Sequence, residues 1–150
     1  MDGVLVVDMP PSESAVLHGQ LQTAGIDTIY LMSPTTNAGR AVSIANHSSG
    51  YLYYVSLKGV TGAALTDYES VRKNIEELRK LTDLPIVIGF GIKDGVSARA
   101  MAELSDGVVI GSALVAEVAE LADSEGISDE QISSSISVIK KARNAINTIG

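Results

Sequence analysis

Gly59-Val60-Thr61-Gly62, Gly89-Phe90-Gly91-Ile92 and Gly111-Ser112 each fall at or just past the end of an apolar run. Glycine at the end of a strand lets a ligand approach the backbone, and amides exposed there can hydrogen-bond a phosphate. Three such turns on successive strands predict one anion pocket assembled from several loops.

Working outward, five runs read as strands: Val4–Val7, Thr28–Met32, Tyr51–Leu57, Pro85–Ile88 and Gly107–Ile110. They are continuous rather than alternating, as expected of parallel strands covered on both faces. Helical segments separate them. Ser12 is the expected N-cap of the first helix and Gly25 its end; a second helix covers about Asn37–Asn46. Thr66-Asp67-Tyr68-Glu69 has capping-box spacing and opens a periodic helix over Tyr68–Leu81. Further helices are expected over Gly95–Leu104 behind Asp94, from Ser112 to about Ala122, and over Glu130–Ile146 behind the capping box at Ser128.

Right-handed βαβ units build either an open doubly wound sheet or part of a (β/α)8 TIM barrel. The open sheet is the default. Two features favour the barrel. The glycine turns follow the last three strands, whereas a dinucleotide-binding sheet places its glycine turn after the first; here the first turn is Asp8-Met9-Pro10-Pro11. The last strand also runs into a short helix through Gly111-Ser112, and barrels bind phosphate with their final loops and a short helix N-terminus. The expectation is therefore an α/β chain, a partial (β/α)8 barrel of five parallel strands with covering helices, with residues 1–150 as a single domain. A complete barrel takes roughly 250 residues. A five-strand portion would leave two raw edges and an uncovered interior, which predicts self-association through the open edges.

Composition narrows the function classes. The 150 residues are 45% hydrophobic and 19% charged, which suits a folded soluble protein. A net charge of −7 argues against general nucleic-acid binding, because phosphate backbones are met by clustered Lys and Arg. A single phosphate can still be held by amides and a helix N-terminus. The absence of cysteine excludes disulfides and thiolate chemistry and fits a cytoplasmic location. No signal peptide or membrane span is expected. His18 and His47 have no further ligand at metal spacing, so no metal site is expected.

Asp2–Pro10 (DGVLVVDMP), Tyr51–Gly62 (YLYYVSLKGVTG), Gly89–Ile92 (GFGI) and Val109–Ala113 (VIGSA) together resemble the tryptophan synthase alpha subunit family, in the right order and over nearly the whole chain. The resemblance implies strands 4 to 8 of that barrel, leaving roughly the first hundred residues of a family member without a counterpart. It also implies the reaction: cofactor-free aldol cleavage of indole-3-glycerol phosphate to indole and glyceraldehyde 3-phosphate, with indole passing to a beta subunit partner. The catalytic Glu and Asp of the family come from the second strand and the loop after it. The chain alone is thus expected to be inactive while still binding indole-3-glycerol phosphate or glycerol phosphates.

By the same resemblance, Gly62, Gly91, Gly111 and Ser112 hold the substrate phosphate, and Thr61 belongs to a mobile loop that orders the site. Leu5, Leu31, Tyr53, Phe90, Ile92 and Val109 align with the walls of the indole pocket, although the aliphatic ones read equally as core. Asp8 ends the first strand at the catalytic face and could be read as a base. The resemblance instead gives it a supporting role toward the mobile loop and the beta subunit. Read on their own, Ser112 could be only a helix cap and the glycines only turns. A non-catalytic phosphate-binding or self-associating half-barrel is the alternative function.

Overall fold

The computed structural model describes residues 1–56, 65–122 and 126–149. Five strands, β1 (Gly3–Val6), β2 (Asp27–Met32), β3 (Leu52–Val55), β4 (Ile86–Gly89) and β5 (Gly107–Val109), form one sheet in the order β1-β2-β3-β4-β5. Every pairing is parallel. The intervening helices are α1 (Ala15–Thr23), α2 (Ala38–His47), α3 (Leu65–Arg79) and α4 (Gly95–Ala102); α5 (Ser112–Ala119), α6 (Asp129–Ser135) and α7 (Ser137–Ile146) follow the last strand.

The strand order settles the choice between the two architectures. A doubly wound sheet reverses its order at a switch point, which sends helices to both faces. Here the order is strictly sequential, and right-handed crossovers then place every connecting helix on one face. Val6, Tyr30, Met32, Leu52, Tyr54, Ile86 and Ile88 point to that face and are buried with Ala41, Ile44, Val71, Ile75, Leu78, Ala98 and Met101 from the helices. The opposite face is the concave one. Leu5, on that side, is 39% exposed. The continuous apolar runs therefore belong to a barrel wall, whose inner face is meant to meet other strands rather than a second helical layer.

Several expected boundaries move. Val7 lies beyond the β1 ladder and is exposed, and β3 is shorter than the apolar run that encodes it. Ser12 is not the first helix cap: Pro11–Glu13 forms a 3-10 turn and α1 starts at Ala15. Two prolines fix the backbone on leaving β1, with Pro10 extended at φ −69° and ψ 151°. The chain turns helical only once Ser14 has been buried, its hydroxyl hydrogen-bonded to the Pro11 carbonyl oxygen and the Tyr30 hydroxyl. Thr66 lies inside α3, which is already helical at Leu65. The expected last helix is two: Ser135 donates its hydroxyl to the Ile132 carbonyl, 2.8 Å away, and the backbone departs from helical geometry at Ile136.

Other expected signals match the structure. Gly25 follows α1 with φ +67°, the left-handed geometry that favours glycine after a helix. Asn37 caps α2 by accepting from the Arg40 amide, Asp94 and Ser97 form a capping box on α4, and Ser128 and Gln131 form another on α6. Among the described residues no helix is long and apolar enough to cross a membrane.

At the N-terminal end of the strands, Asp106 ties the sheet to α3. Its carboxylate accepts from the Ile86 amide (2.8 Å) and from Arg79 (3.0 Å). Partial burial would raise its pKa, but these two donors outweigh it and hold the carboxyl below its ordinary value. This end of the barrel wall serves stability, whereas function in such folds gathers at the opposite rim.

Candidate active site

Parallel pairing in register brings all five strands out at one rim. The chain there continues as Val7-Asp8-Met9 after β1, Ser33 after β2, Ser56 after β3, Phe90-Gly91 after β4 and Ile110-Gly111-Ser112 after β5. The register also sorts faces. Leu5 pairs with Ile29, two residues before Leu31 on the same side of β2; Leu31 pairs with Tyr53, Tyr53 with Val87, and Gly89 with Val109. Leu5, Leu31, Tyr53 and Val109 therefore share the concave face. Ile92 does not join them: it is 3% exposed and packs in the core beneath the helices. Gly59, Thr61 and Gly62 lie outside the described residues.

Tyr53 lies across Gly89. A Cβ on Gly89 would sit 1.9 Å from the Tyr53 hydroxyl oxygen and 2.2 Å from Cζ, so the glycine is the condition for the ring's position. Burial, with Tyr51 nearby, raises the Tyr53 pKa above 10.0. The phenol stays protonated at neutral pH, a half-buried apolar ring with a hydrogen-bonding tip.

After Gly89 the backbone enters unusual territory. Phe90 has φ +89°, and Gly91 follows at +78°. Among the described residues Phe90 is alone in having a positive φ without being glycine. That geometry costs on the order of 1–3 kcal/mol. Phe90 is 59% exposed, so burial does not offset the cost. The strain leaves an aromatic side chain standing at the rim beside a glycine.

Ser112 is the first residue of α5, with Gly111 before it, and no side chain caps that helix. The contrast with α4 is informative. Asp94 occupies the N-terminus of α4 and is held ionised, its pKa lowered chiefly by the Ser97 backbone N–H and hydroxyl. The first amides of α5 have no such side-chain acceptor, and Gly111 and Ser112 are exposed, with open space where a Gly111 Cβ would be. Unpaired N–H groups and the helix dipole there favour an anion.

Asp8 and Leu31 line a cleft of about 280 Å³ with Tyr30 and Arg40. A neighbouring cleft of about 310 Å³ shares Val7, Leu31 and Arg40 and is bordered by Ser33, Thr35 and Thr36. Gly91, Gly111 and Ser112 line neither; they stand farther along the same rim. Arg40 escaped the sequence reading. Its signal was local: a cation in the first turn of α2 opposes the helix dipole, so its placement is not explained by helix stability. Among the described residues, no three His, Asp or Glu side chains come together to hold a metal.

Comparison with known proteins gives these features their family. The description of the tryptophan synthase alpha chain family matches residues 1–145. The chain belongs to the tryptophan synthase alpha chain family. It is 51% identical over 118 residues to the tryptophan synthase alpha chain of Chromobacterium violaceum, covering 79% of this chain and 45% of that one. Against the alpha chain of Paraburkholderia phymatum it is 45% identical over 150 residues, covering all of this chain and 54% of its relative. The crystal structure of the Legionella pneumophila alpha chain superposes with a TM-score of 0.81 at 35% identity, over 100% of this chain and 53% of that one. The chain thus spans about half the length of the alpha chains it matches, and the sheet is part of their TIM barrel.

Proposed function

We propose that this chain is the substrate-phosphate-holding part of a tryptophan synthase alpha subunit, a carbon–carbon lyase of tryptophan biosynthesis that cleaves indole-3-glycerol phosphate. The observation that carries the reading is the convergence at one rim of three features: the strained Phe90-Gly91 turn, the uncapped N-terminus of α5 at Gly111-Ser112, and the apolar concave face behind them. The amides at Gly91, Gly111 and Ser112, with Gly62, receive the phosphate, and Thr61 supports the site; Thr61 and Gly62 lie outside the described residues. Tyr53, Phe90, Leu5, Leu31 and Val109 offer the indole ring an apolar wall. Ile92 acts from below, by packing under the turn.

Retro-aldol cleavage needs a base at the glycerol hydroxyl and an acid at the indole ring. Asp8 is a carboxylate at this rim, and it supports the site and its communication with a beta subunit rather than acting as the base. The groups that perform proton transfer come from barrel strands outside this chain. The chain by itself therefore binds without turning over. Calorimetric titration with glycerol 3-phosphate, paired with an indole-release assay, tests this. The expected outcome is saturable binding weakened by Ser112→Ala and weakened much more by Gly91→Val, with no indole released. Turnover above background that disappears in Asp8→Asn would overturn the assignment of roles.

The second reading, a self-associating half-barrel, has its own observation. Leu5 on the concave face of β1, and Val7 and Met9 just beyond its end, are exposed. Both edge strands present unpaired backbone groups to whatever completes the barrel.

A further inference from the structure

The Phe90 turn is strained, and its exposed ring does not hold it in place. Ser56, the residue that immediately follows β3, reaches it with two hydrogen bonds. Ser56 is 4% exposed. Its backbone N–H donates to the Gly89 carbonyl oxygen at 3.4 Å, and its hydroxyl donates to the Phe90 carbonyl oxygen at 3.3 Å. One buried residue therefore grips two successive carbonyls, those on either side of the Phe90 amide and α-carbon. Both hydrogen bonds are long. The backbone bond closes the last β3–β4 rung, Val55↔Gly89, and the hydroxyl bond reaches one residue past it, where β4 becomes the turn.

We propose that Ser56 is a positioning residue that clamps the Gly89 and Phe90 carbonyls, fixing the left-handed turn so that the Phe90 ring and the Gly91 amide face a phosphate-ester ligand. It acts through the turn and does not touch the ligand. The inference rests on the reading of this rim as a phosphate-ester site.

Four variants of the chain test it: Ser56→Ala, Ser56→Thr, Phe90→Gly and the double variant Ser56→Ala/Phe90→Gly. Glycerol 3-phosphate affinity is measured by calorimetry, and the Gly91 amide is followed by NMR without ligand. Loss of one neutral hydrogen bond corresponds to an affinity fall of about three- to tenfold in Ser56→Ala, restored by Ser56→Thr, which keeps the hydroxyl. Glycine is at ease with positive φ. In the Phe90→Gly background the same loss of hydroxyl should therefore change affinity less than about twofold. An equal fall in both backgrounds would make Ser56 an ordinary buried hydroxyl and overturn the clamp. If the unaltered chain binds no glycerol 3-phosphate, the phosphate-site reading fails, and the NMR arm still decides on the clamp. A displaced, faster-exchanging Gly91 amide in Ser56→Ala supports it, and an unchanged amide overturns it. Should Ser56→Ala fail to fold, folding of the double variant supports the clamp and its unfolding overturns it.

Discussion

Gly89→Ala is the sharpest probe of how the concave face is built. The added Cβ would lie 1.9, 2.2 and 2.7 Å from the hydroxyl oxygen, Cζ and Cε1 of Tyr53, and none of these separations is tolerable. All three atoms belong to the far part of a ring on a half-buried face, so the ring swings outward instead of the strand shifting. Relief of that kind places the cost at the low end for overpacking, about 1 kcal/mol. With Tyr53→Ala already in place the clash is gone. The same substitution then gains about 0.5–1 kcal/mol, because alanine loses less backbone entropy than glycine in a strand. The coupling between the two positions is therefore about 1.5–2 kcal/mol, with a change of sign between backgrounds. Urea unfolding followed by far-UV circular dichroism on the parent, both single variants and the double gives the cycle. The sequence has no tryptophan and five tyrosines, so near-UV dichroism is a tyrosine signal, and its difference from the Tyr53→Ala variant reports the ring's displacement. An equal cost for Gly89→Ala in both backgrounds would refute the idea that Tyr53 lies over Gly89.

Two further outcomes follow from other parts of the structure. Asp106 has its pKa depressed on folding by the Ile86 amide and Arg79, against the raising effect of burial. Its contribution is therefore fully present above the unfolded carboxylate pKa near 3.8 and is lost as pH falls through the lower folded value. Asp106→Asn should lower the urea midpoint at pH 7, with the deficit shrinking as the pH falls below 3.8; a deficit that stays constant as the pH falls would contradict the linkage. The exposed Leu5, Val7 and Met9 beside the β1 edge predict concentration-dependent association in light scattering, weakened by Val7→Lys. A monodisperse monomer at high concentration would count against that surface.

Much of this molecule was legible in its amino acids. The five apolar runs, the caps at Asp94 and Ser128 and the end of α1 at Gly25 are local properties, encoded within a few residues of where they act. The turns at Gly89–Gly91 and Gly111 were legible for the same reason: a strand end needing close backbone approach must carry glycine there. The 3-10 turn at Pro11 and the break at Ile136 were less so, because burial of Ser14 against Tyr30 and of Ser135 decides them. Ile92 shows the limit on the site itself. Its motif position suggested a pocket wall, and only packing against the helices reveals that it faces the core.

The sequence by itself determined the fold class, the family resemblance and the strand ends at which Gly89-Phe90-Gly91 and Gly111-Ser112 lie, since periodicity and turn chemistry are short-range. Tertiary structure decided the rest. Sequential strand order put every connecting helix on one side and left a concave face, a global outcome of crossover handedness that no single segment carries. It also set Tyr53 over Gly89, put Arg40 and Asp8 on one cleft, and placed Ser56 against the carbonyl of a residue 34 positions away. Contacts between residues so distant in the chain exist only once the sheet is assembled, and the geometry of this site is made of them.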